Sequence, residues 1–310
     1  MTAESLTVGG TVRKRRGARE ARKAVEGGIQ VVFLLCGTLA VGFVLLISIY
    51  LILSGLPAIR QIGLADFLFG RVWDPTNATT GAEFGILPFI LTSIYGTAGA
   101  VVLGVPVGLL TAVYLAKIAP PKVAVAIRTA VQLLAGIPSV VYGLVGMIVL
   151  VPAIQKTFSL SSGACLLAAM IVLAIMILPS IINVAENALR AVPKEYEEAS
   201  LALGATKLET YFKVTLPAAG SGVAAAIVLG VGRAIGEAMA IIMVSGNVSN
   251  MPSIFAPVRF LTTGIVSGMG YAQVGSLYHQ ALFSIGLVLF LFIMLINVLL
   301  NVLIKKKGDA

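Results

Sequence analysis

Charged residues are scarce in this chain. Of its 310 residues 11% are Asp, Glu, Lys or Arg and 58% are hydrophobic, with a mean hydropathy of +1.02. A soluble domain carries about 25% charged and about 45–50% apolar residues, so a water-soluble globular protein is excluded and the chain reads as an integral membrane protein. Cysteine is almost missing: Cys36 and Cys165 lie far apart, each inside an apolar run. They form neither a disulfide framework nor a metal pattern. The single histidine, His279, excludes a His-based metal cluster. No G-x-x-x-x-G-K-[ST] stretch occurs, so the chain has no P-loop. If ATP drives it, another subunit binds the ATP.

What is abundant is long apolar sequence. After a polar tail, residues 1–28, whose first part is expected to be disordered, Ile29 to Leu53 has no charge. It exceeds the core of a signal peptide, and about 20 residues suffice to cross a bilayer, so it is read as a retained first span. Gly55 to Glu83 is mixed and reads as an outside segment with a short interfacial helix. Trp73 there suits either an interfacial anchor or simple packing. Asn77-Ala78-Thr79 matches a glycosylation acceptor, a pattern common by chance.

Five further runs follow. Phe84 to Ala116 is expected to kink near Pro106, and Lys117 to Lys122 is a tight turn. Thr129 to Gln155 is expected to break at Pro138, and Leu160 to Ala185 near Pro179. Ala218 to Ser245 is the fifth run. After a polar segment, Gly246 to Ser276, the sixth is Leu277 to Ile304. The expected organisation is a cytoplasmic basic tail (1–28), a transmembrane domain (29–304) and a C-terminal tail (305–310).

The formal net charge is +9, but the cations are placed asymmetrically. Seven Lys and Arg occupy the N-terminal tail. Lys117, Lys122, Arg128, Arg190, Lys194, Lys207, Lys213 and Lys305 to Lys307 fall on the same side of a six-span arrangement, while Arg60, Arg71, Lys156 and Arg259 fall on the other. The positive-inside rule puts both termini in the cytoplasm and explains the charge without nucleic acid.

The longest polar interruption of the C-terminal two-thirds is Pro193 to Pro217. Pro193 suits a first helical position, Tyr196, Ala199, Ser200 and Leu203 recur at helical spacing, and Gly204 stands where a helix stops. Thr206 and Glu209 form a capping-box pattern, so a second short helix starts there and is expected to end before Pro217. The charge asymmetry puts this loop in the cytoplasm.

In the fifth run Arg233 and Glu237 are four residues apart, which on a continuous helix puts them on one face, roughly 6 Å apart along the axis. A charge at the centre of a span costs about 2.5–3.5 kcal/mol on insertion scales and usually marks a pathway. A self-neutralising structural pair is the plainer reading. Arg suits an oxyanion, because its planar fork donates two parallel hydrogen bonds.

The loop resembles the EAA loop of ABC importer permeases: Glu198-Ala199-Ser200, three residues, Gly204, nine residues, then Val214-Thr215-Leu216-Pro217. Gly232 to Ala240, GRAIGEAMA, resembles the G-R-A-x-G-E-T-M-A segment of phosphate importer permeases of the PstC type. Leu134 to Gly143, Trp73-Asp74-Pro75 and Gly85 to Pro88 are similar to that family too. Ala238 stands where Thr is usual, so no hydroxyl role is carried to it. The PstA-type sister subunit shares the general plan.

The resemblance implies an all-α integral membrane protein of six transmembrane helices with the type I ABC importer permease (MetI-like) fold. It implies a bacterial plasma (inner) membrane location among lipid and no enzyme activity in this chain. The implied partners are a second, PstA-type permease, two copies of a PstB-type ATPase that bind ATP and Mg, and an extracytoplasmic PstS-type phosphate-binding protein. Glu198, Ala199, Ser200, Gly204, Leu216 and Pro217 would couple to the ATPase. Arg233 and Glu237 would line the substrate path. Glu237 would accept the P–OH proton that phosphate keeps and sulfate lacks, or else restrain Arg233 through a salt bridge. Three alternatives remain: a sulfate or molybdate permease, a secondary transporter or channel working without ATP, and a membrane scaffold that only recruits a partner.

Overall fold

The first helix does not stop where the first apolar run stops. In the computed structural model, which describes the backbone of residues 4–76 and 81–308 and the side chains of 26–76, 81–299 and 302, α1 spans Glu4–Ile62. The expected disordered start is therefore helical from Glu4. The tail is rich in Ala, Arg, Lys and Glu, which favour helix, and has no proline before Pro57. The expected outside segment from Gly55 starts later, because the helix continues through Pro57 to Gly63, whose φ of +97° ends it. Residues 1–53 and 54–310 form two compact units. In the first, Phe33, Leu39, Phe43 and Leu46 are all exposed.

In the second unit, the short helix α2 (Leu64–Phe69) precedes a two-residue hairpin pair, β1 (Trp73–Asp74) antiparallel to β2 (Glu83–Phe84), with Trp73 opposite Phe84. Of the two readings of Trp73, packing prevails. Its ring is buried, 5.6 Å from that of Phe84, 5.4 Å from Phe89 and 6.2 Å from Tyr278. Asn77 to Thr79, the glycosylation pattern, lies outside the described residues.

α3 (Leu87–Val113) is continuous through Pro106 and closes in a π-helical turn, Tyr114–Ile118. After the bend at Ala119, α4 (Pro121–Gly136) begins eight residues before the expected start of the third run. The chain breaks at Ile137-Pro138 as expected, with Ile137 extended at ψ 127°. It resumes as α5 (Ser139–Val145), a π-helical turn (Gly146–Leu150) and α6 (Val151–Thr157).

α7 (Leu166–Arg190) is the helix around which the rest is packed. Leu173, Met176, Ile177 and Ile181 are buried between α3 on one side and α11 (Gly220–Gly236) on the other. Small residues make that possible: a Cβ on Gly108 of α3 would lie 2.8 Å from Ile181, and one on Gly230 of α11 would lie 3.0 Å from the same side chain. Such residues let helices approach closely where hydrophobic attraction between them is weak. The expected break near Pro179 does not occur. Pro179 is buried in a continuous helix, whose neighbours hold it on both sides. The amides of Leu166 and Leu167, unpaired within a first helical turn, donate to the carbonyls of Ala256 and Ile254 at 3.2 and 2.9 Å.

α8 (Lys194–Ala202) and α9 (Lys207–Thr210) form the loop, followed by a π-helical turn (Tyr211–Thr215) and α10 (Leu216–Ala218). The expected stop before Pro217 is not observed. Pro217 opens a new helical turn after the π-helical one, where its missing N–H is tolerated. The stretch Lys207–Ala218 then bends by 74° into α11. After α11 come α12 (Met239–Val244), α13 (Leu261–Met269) and α14 (Leu277–Gly308). Among the described residues, five helices are long and apolar enough to cross a membrane, or six if the bent pair counts as one span.

Candidate functional site: two broken helices and an exposed helical loop

Arg233 and Glu237 do not share a continuous helix. α11 ends at Gly236, Glu237 is extended at φ −75° and ψ 133°, and α12 starts only at Met239. The expectation of one helical face is corrected. No ion pair joins the two among the described residues. Instead Glu237 Oε1 accepts the Ala240 N–H at 3.0 Å, which satisfies an unpaired amide of the α12 N-terminus, where negative charge is favourable. The Glu237 carbonyl, freed by the break, accepts the Thr262 hydroxyl at 2.7 Å. Both groups that hold the break are contacts a regular helix would not need.

The two broken spans pack against each other. A Cβ on Gly143 of α5 would come within 2.9 Å of the Cα and the carbonyl of Ala240 of α12. Across the other break, the Tyr142 hydroxyl donates to the Leu134 carbonyl at 2.6 Å. Non-helical backbone at membrane depth is tolerated where it is buried in protein or lines a cavity. Arg233 is exposed and Glu237 half-buried. A cavity of about 380 Å³ opens against Gly232 and Arg233, and Ser180 of α7 and Asn297 of α14 add a hydroxyl and an amide to its wall. Sequence reading missed both; the signal was a lone polar residue within an apolar run.

The loop is a second centre, separated from the first by most of α11, roughly 20 Å at 1.5 Å per residue. Pro193 sits just before α8 rather than inside it. Gly204 has φ +86°, a conformation that glycine adopts without steric cost. The capping box at Thr206 is present: Glu209 N–H donates to the Thr206 hydroxyl oxygen at 3.3 Å and Thr206 N–H to Glu209 at 3.1 Å. The Thr206 amide first, then its hydroxyl and Lys213, hold the Glu209 carboxyl below its usual range.

Of the residues named from the sequence, Glu198, Ala199 and Pro217 are exposed. Ser200 and Leu216 are half-buried, and Ser200 hydrogen-bonds the Thr210 hydroxyl at 2.9 Å. Apolar residues are left uncovered as well: Leu203 is 90% exposed, Tyr196 57% and Leu208 58%, with Phe212 beside them in sequence on the same loop.

Sequence reading also missed what anchors this loop. Glu197, not Glu198, pairs with Lys117 and accepts the Thr215 hydroxyl at 3.1 Å. Deeper, the buried Glu186 takes the Nε of Arg128 at 2.8 Å and of Arg190 at 2.9 Å. Losing one partner of a buried ion pair costs about 3–5 kcal/mol. Glu186 falls just past the expected end of the fourth run, where it reads as the first loop residue.

Helical spans, two of them broken and apposed, a basic side chain on a cavity walled by α7, α11 and α14, and an uncovered helical loop fit a membrane transport subunit. The comparisons make this specific. The chain belongs to the family described as binding-protein-dependent transport system inner membrane component, which matches residues 104–307. It is 38% identical over 289 residues to the probable ABC transporter permease protein YqgH of Bacillus subtilis, covering 91% of this chain and 93% of that one. It is 35% identical over 265 residues to the phosphate transport system permease protein PstC of Pasteurella multocida, covering 78% and 81%. A solved structure of the MetNI methionine ABC transporter shares its fold, with a TM-score of 0.57 at 21% identity over 72% of this chain and 95% of that one. The protein is thus a multi-pass inner-membrane permease subunit of an ABC importer, with the MetI-like fold, and not an enzyme.

Proposed function

We propose that this chain is one of two unlike permease subunits of an ATP-driven inorganic phosphate importer. A PstA-type subunit completes the path, two PstB-type ATPases bind ATP and Mg, and a PstS-type protein delivers phosphate from outside. The observation that carries the substrate is the likeness to phosphate transport permeases over most of the chain. Arg233 fits it chemically: an always-charged fork, exposed at a helix break beside Ser180 and Asn297, offers an oxyanion several donors at once.

Glu237 deepens the fit. Its Oε1 is held by the Ala240 amide, and no ion pair to Arg233 competes for the carboxylate. That favours discrimination over restraint: the carboxylate accepts the P–OH proton of phosphate and repels sulfate, which has none.

Glu198, Ala199, Ser200, Gly204, Leu216 and Pro217 form the ATPase-coupling surface. Its support is the uncovered apolar group around Leu203 and Tyr196, because exposed apolar patches mark interaction sites. Both termini and this loop are cytoplasmic by the distribution of Lys and Arg. Closure of the ATPases on ATP displaces α8, and the broken spans switch access from outside to inside. ATP can shift this equilibrium only through contacts that differ between the states.

The test is reconstitution with the second permease, the ATPase and the binding protein. Uptake of labelled phosphate that requires ATP and the binding protein is expected. Uptake without ATP, or of sulfate in preference to phosphate, would reject the proposal.

A further inference from the structure

A continuous polar chain runs from the coupling loop to the first broken span. In α8, Glu197 binds Lys117, which lies in the π-helical turn closing α3. The carbonyl of Lys117 also accepts the Tyr211 hydroxyl of the loop at 3.4 Å. Two residues earlier in the same turn, the Leu115 carbonyl accepts Arg190 Nη2 at 2.9 Å. The Nε of Arg190 then meets Glu186 Oε1, and that single oxygen also takes Arg128 Nε. Arg128 belongs to α4, two helical turns before the break at Ile137-Pro138.

The middle of this chain is buried and its ends are wet. Glu186 is 4% exposed, while the side chain of Arg128 is 33% exposed and that of Arg190 46%. The apolar contacts between α4 and its neighbours form one small cluster: Ala124, Ile127 and Val131 pack with Leu115, Ala119, Leu178 and Ile182. Small apolar surfaces can slide past one another. A carboxylate shared by two guanidinium groups in a water-poor site cannot, because separating them strands a charge.

We propose that Glu186 is a positioning residue that makes α4 and the coupling helix α8 move as one body, so that displacement of α8 at the ATPase is delivered to the Ile137-Pro138 break. The inference rests on the coupling-loop reading above. Glu186 touches neither the substrate nor the ATPase in this account. It acts through Arg128 and Arg190.

Spatial continuity alone does not establish coupling, so the test measures it. The transporter is assembled with its second permease, ATPase and binding protein in proteoliposomes, with Cys36 and Cys165 replaced. Spin labels are placed at Val125 on α4 and Lys194 on α8, both exposed. In the parent the distance between labels stays unchanged on adding ATP, because the two helices move together. In Glu186→Gln and in Arg128→Gln it shifts on adding ATP. In the same variants, labelled phosphate taken up per ATP hydrolysed falls about fivefold or more, the lower end of ordinary coupling, while hydrolysis itself continues. The double variant is no worse than Glu186→Gln alone, because that variant already removes the pair that Arg128→Gln removes.

Arg128→Gln is the safer variant for folding, since Arg128 is partly solvated. An ATP-independent label distance in both variants overturns the proposal. So does a loss of uptake that tracks only a loss of assembled complex. If the parent takes up no phosphate at all, the substrate reading fails, and the label distances still decide the relay.

Discussion

Glu237 accepts the amide of Ala240 at 3.0 Å and so opens α12 where α11 has ended. A helix break in the membrane leaves backbone groups that lipid cannot satisfy, and this side chain satisfies one of them. Two substitutions separate its cap from its charge. Glu237→Gln keeps an acceptor oxygen and loses the charge; Glu237→Ala loses both. The alanine variant is expected to lose about 0.5–2 kcal/mol, the usual worth of a cap, seen as a lower melting temperature of the assembled complex. The glutamine variant should melt near the parent temperature but admit sulfate. Equal melting temperatures for the alanine and glutamine variants would remove the cap.

The apposition of the two breaks is tested at Gly143. A Cβ there would stand 2.9 Å from backbone atoms of Ala240, which cannot rotate away. Gly143→Val should cost about 1–3 kcal/mol by overpacking and, by prying α5 from α12, lower uptake more than it lowers the amount of assembled complex. Uptake at the parent level would show that the two broken spans need not touch.

At Gly204 the open space around the Cα isolates the backbone effect. Nothing lies within 4 Å of a Cβ built there, so Gly204→Ala is penalised only by its φ of +86°. Roughly 1–2 kcal/mol of strain is expected. The readout is the affinity of the ATPase for the permease, which should fall in this variant and more steeply in Leu203→Glu, a charge placed in the uncovered apolar group. Unchanged affinity in both would move the docking surface elsewhere.

These features differ in how far they could be read from the chain alone. The Thr206 capping box and the αL glycine at 204 are local, decided within four residues, and the Ile137-Pro138 break follows from the proline itself. The break at Glu237 is only half local: its cap reaches Ala240, three residues on, but its freed carbonyl is held by the Thr262 hydroxyl, 25 residues further on. Pro179 misled in the opposite sense: flanking helices hold α7 together where a proline in isolation would break it. Glu186 looked like the end of an apolar run because one of the residues that neutralise it, Arg128, is 58 positions away.

The topology proposed from the cation distribution is checked by thiol labelling in a background without Cys36 and Cys165. Cysteines at Ser5 and Lys306 should react only with membrane-permeant reagents. One at Thr76 or Ser253 should react with impermeant ones. Labelling of Lys306→Cys from outside would overturn the arrangement of spans.

The central claim, that Arg233 meets the anion, is tested most directly by labelled phosphate uptake through the reconstituted transporter carrying Arg233→Gln, alone and with Glu237→Gln. A hydrogen bond to a charged group contributes about 1.5–3 kcal/mol, or roughly a 10- to 100-fold effect. Arg233→Gln should therefore assemble and dock the binding protein normally while uptake falls by about that factor, and Arg233→Lys should restore only part of it, since a point charge lacks the planar fork. The double variant should stay as inactive as Arg233→Gln. Uptake near the parent rate in the double variant would mean that the two charges only neutralise each other, and would contradict the account.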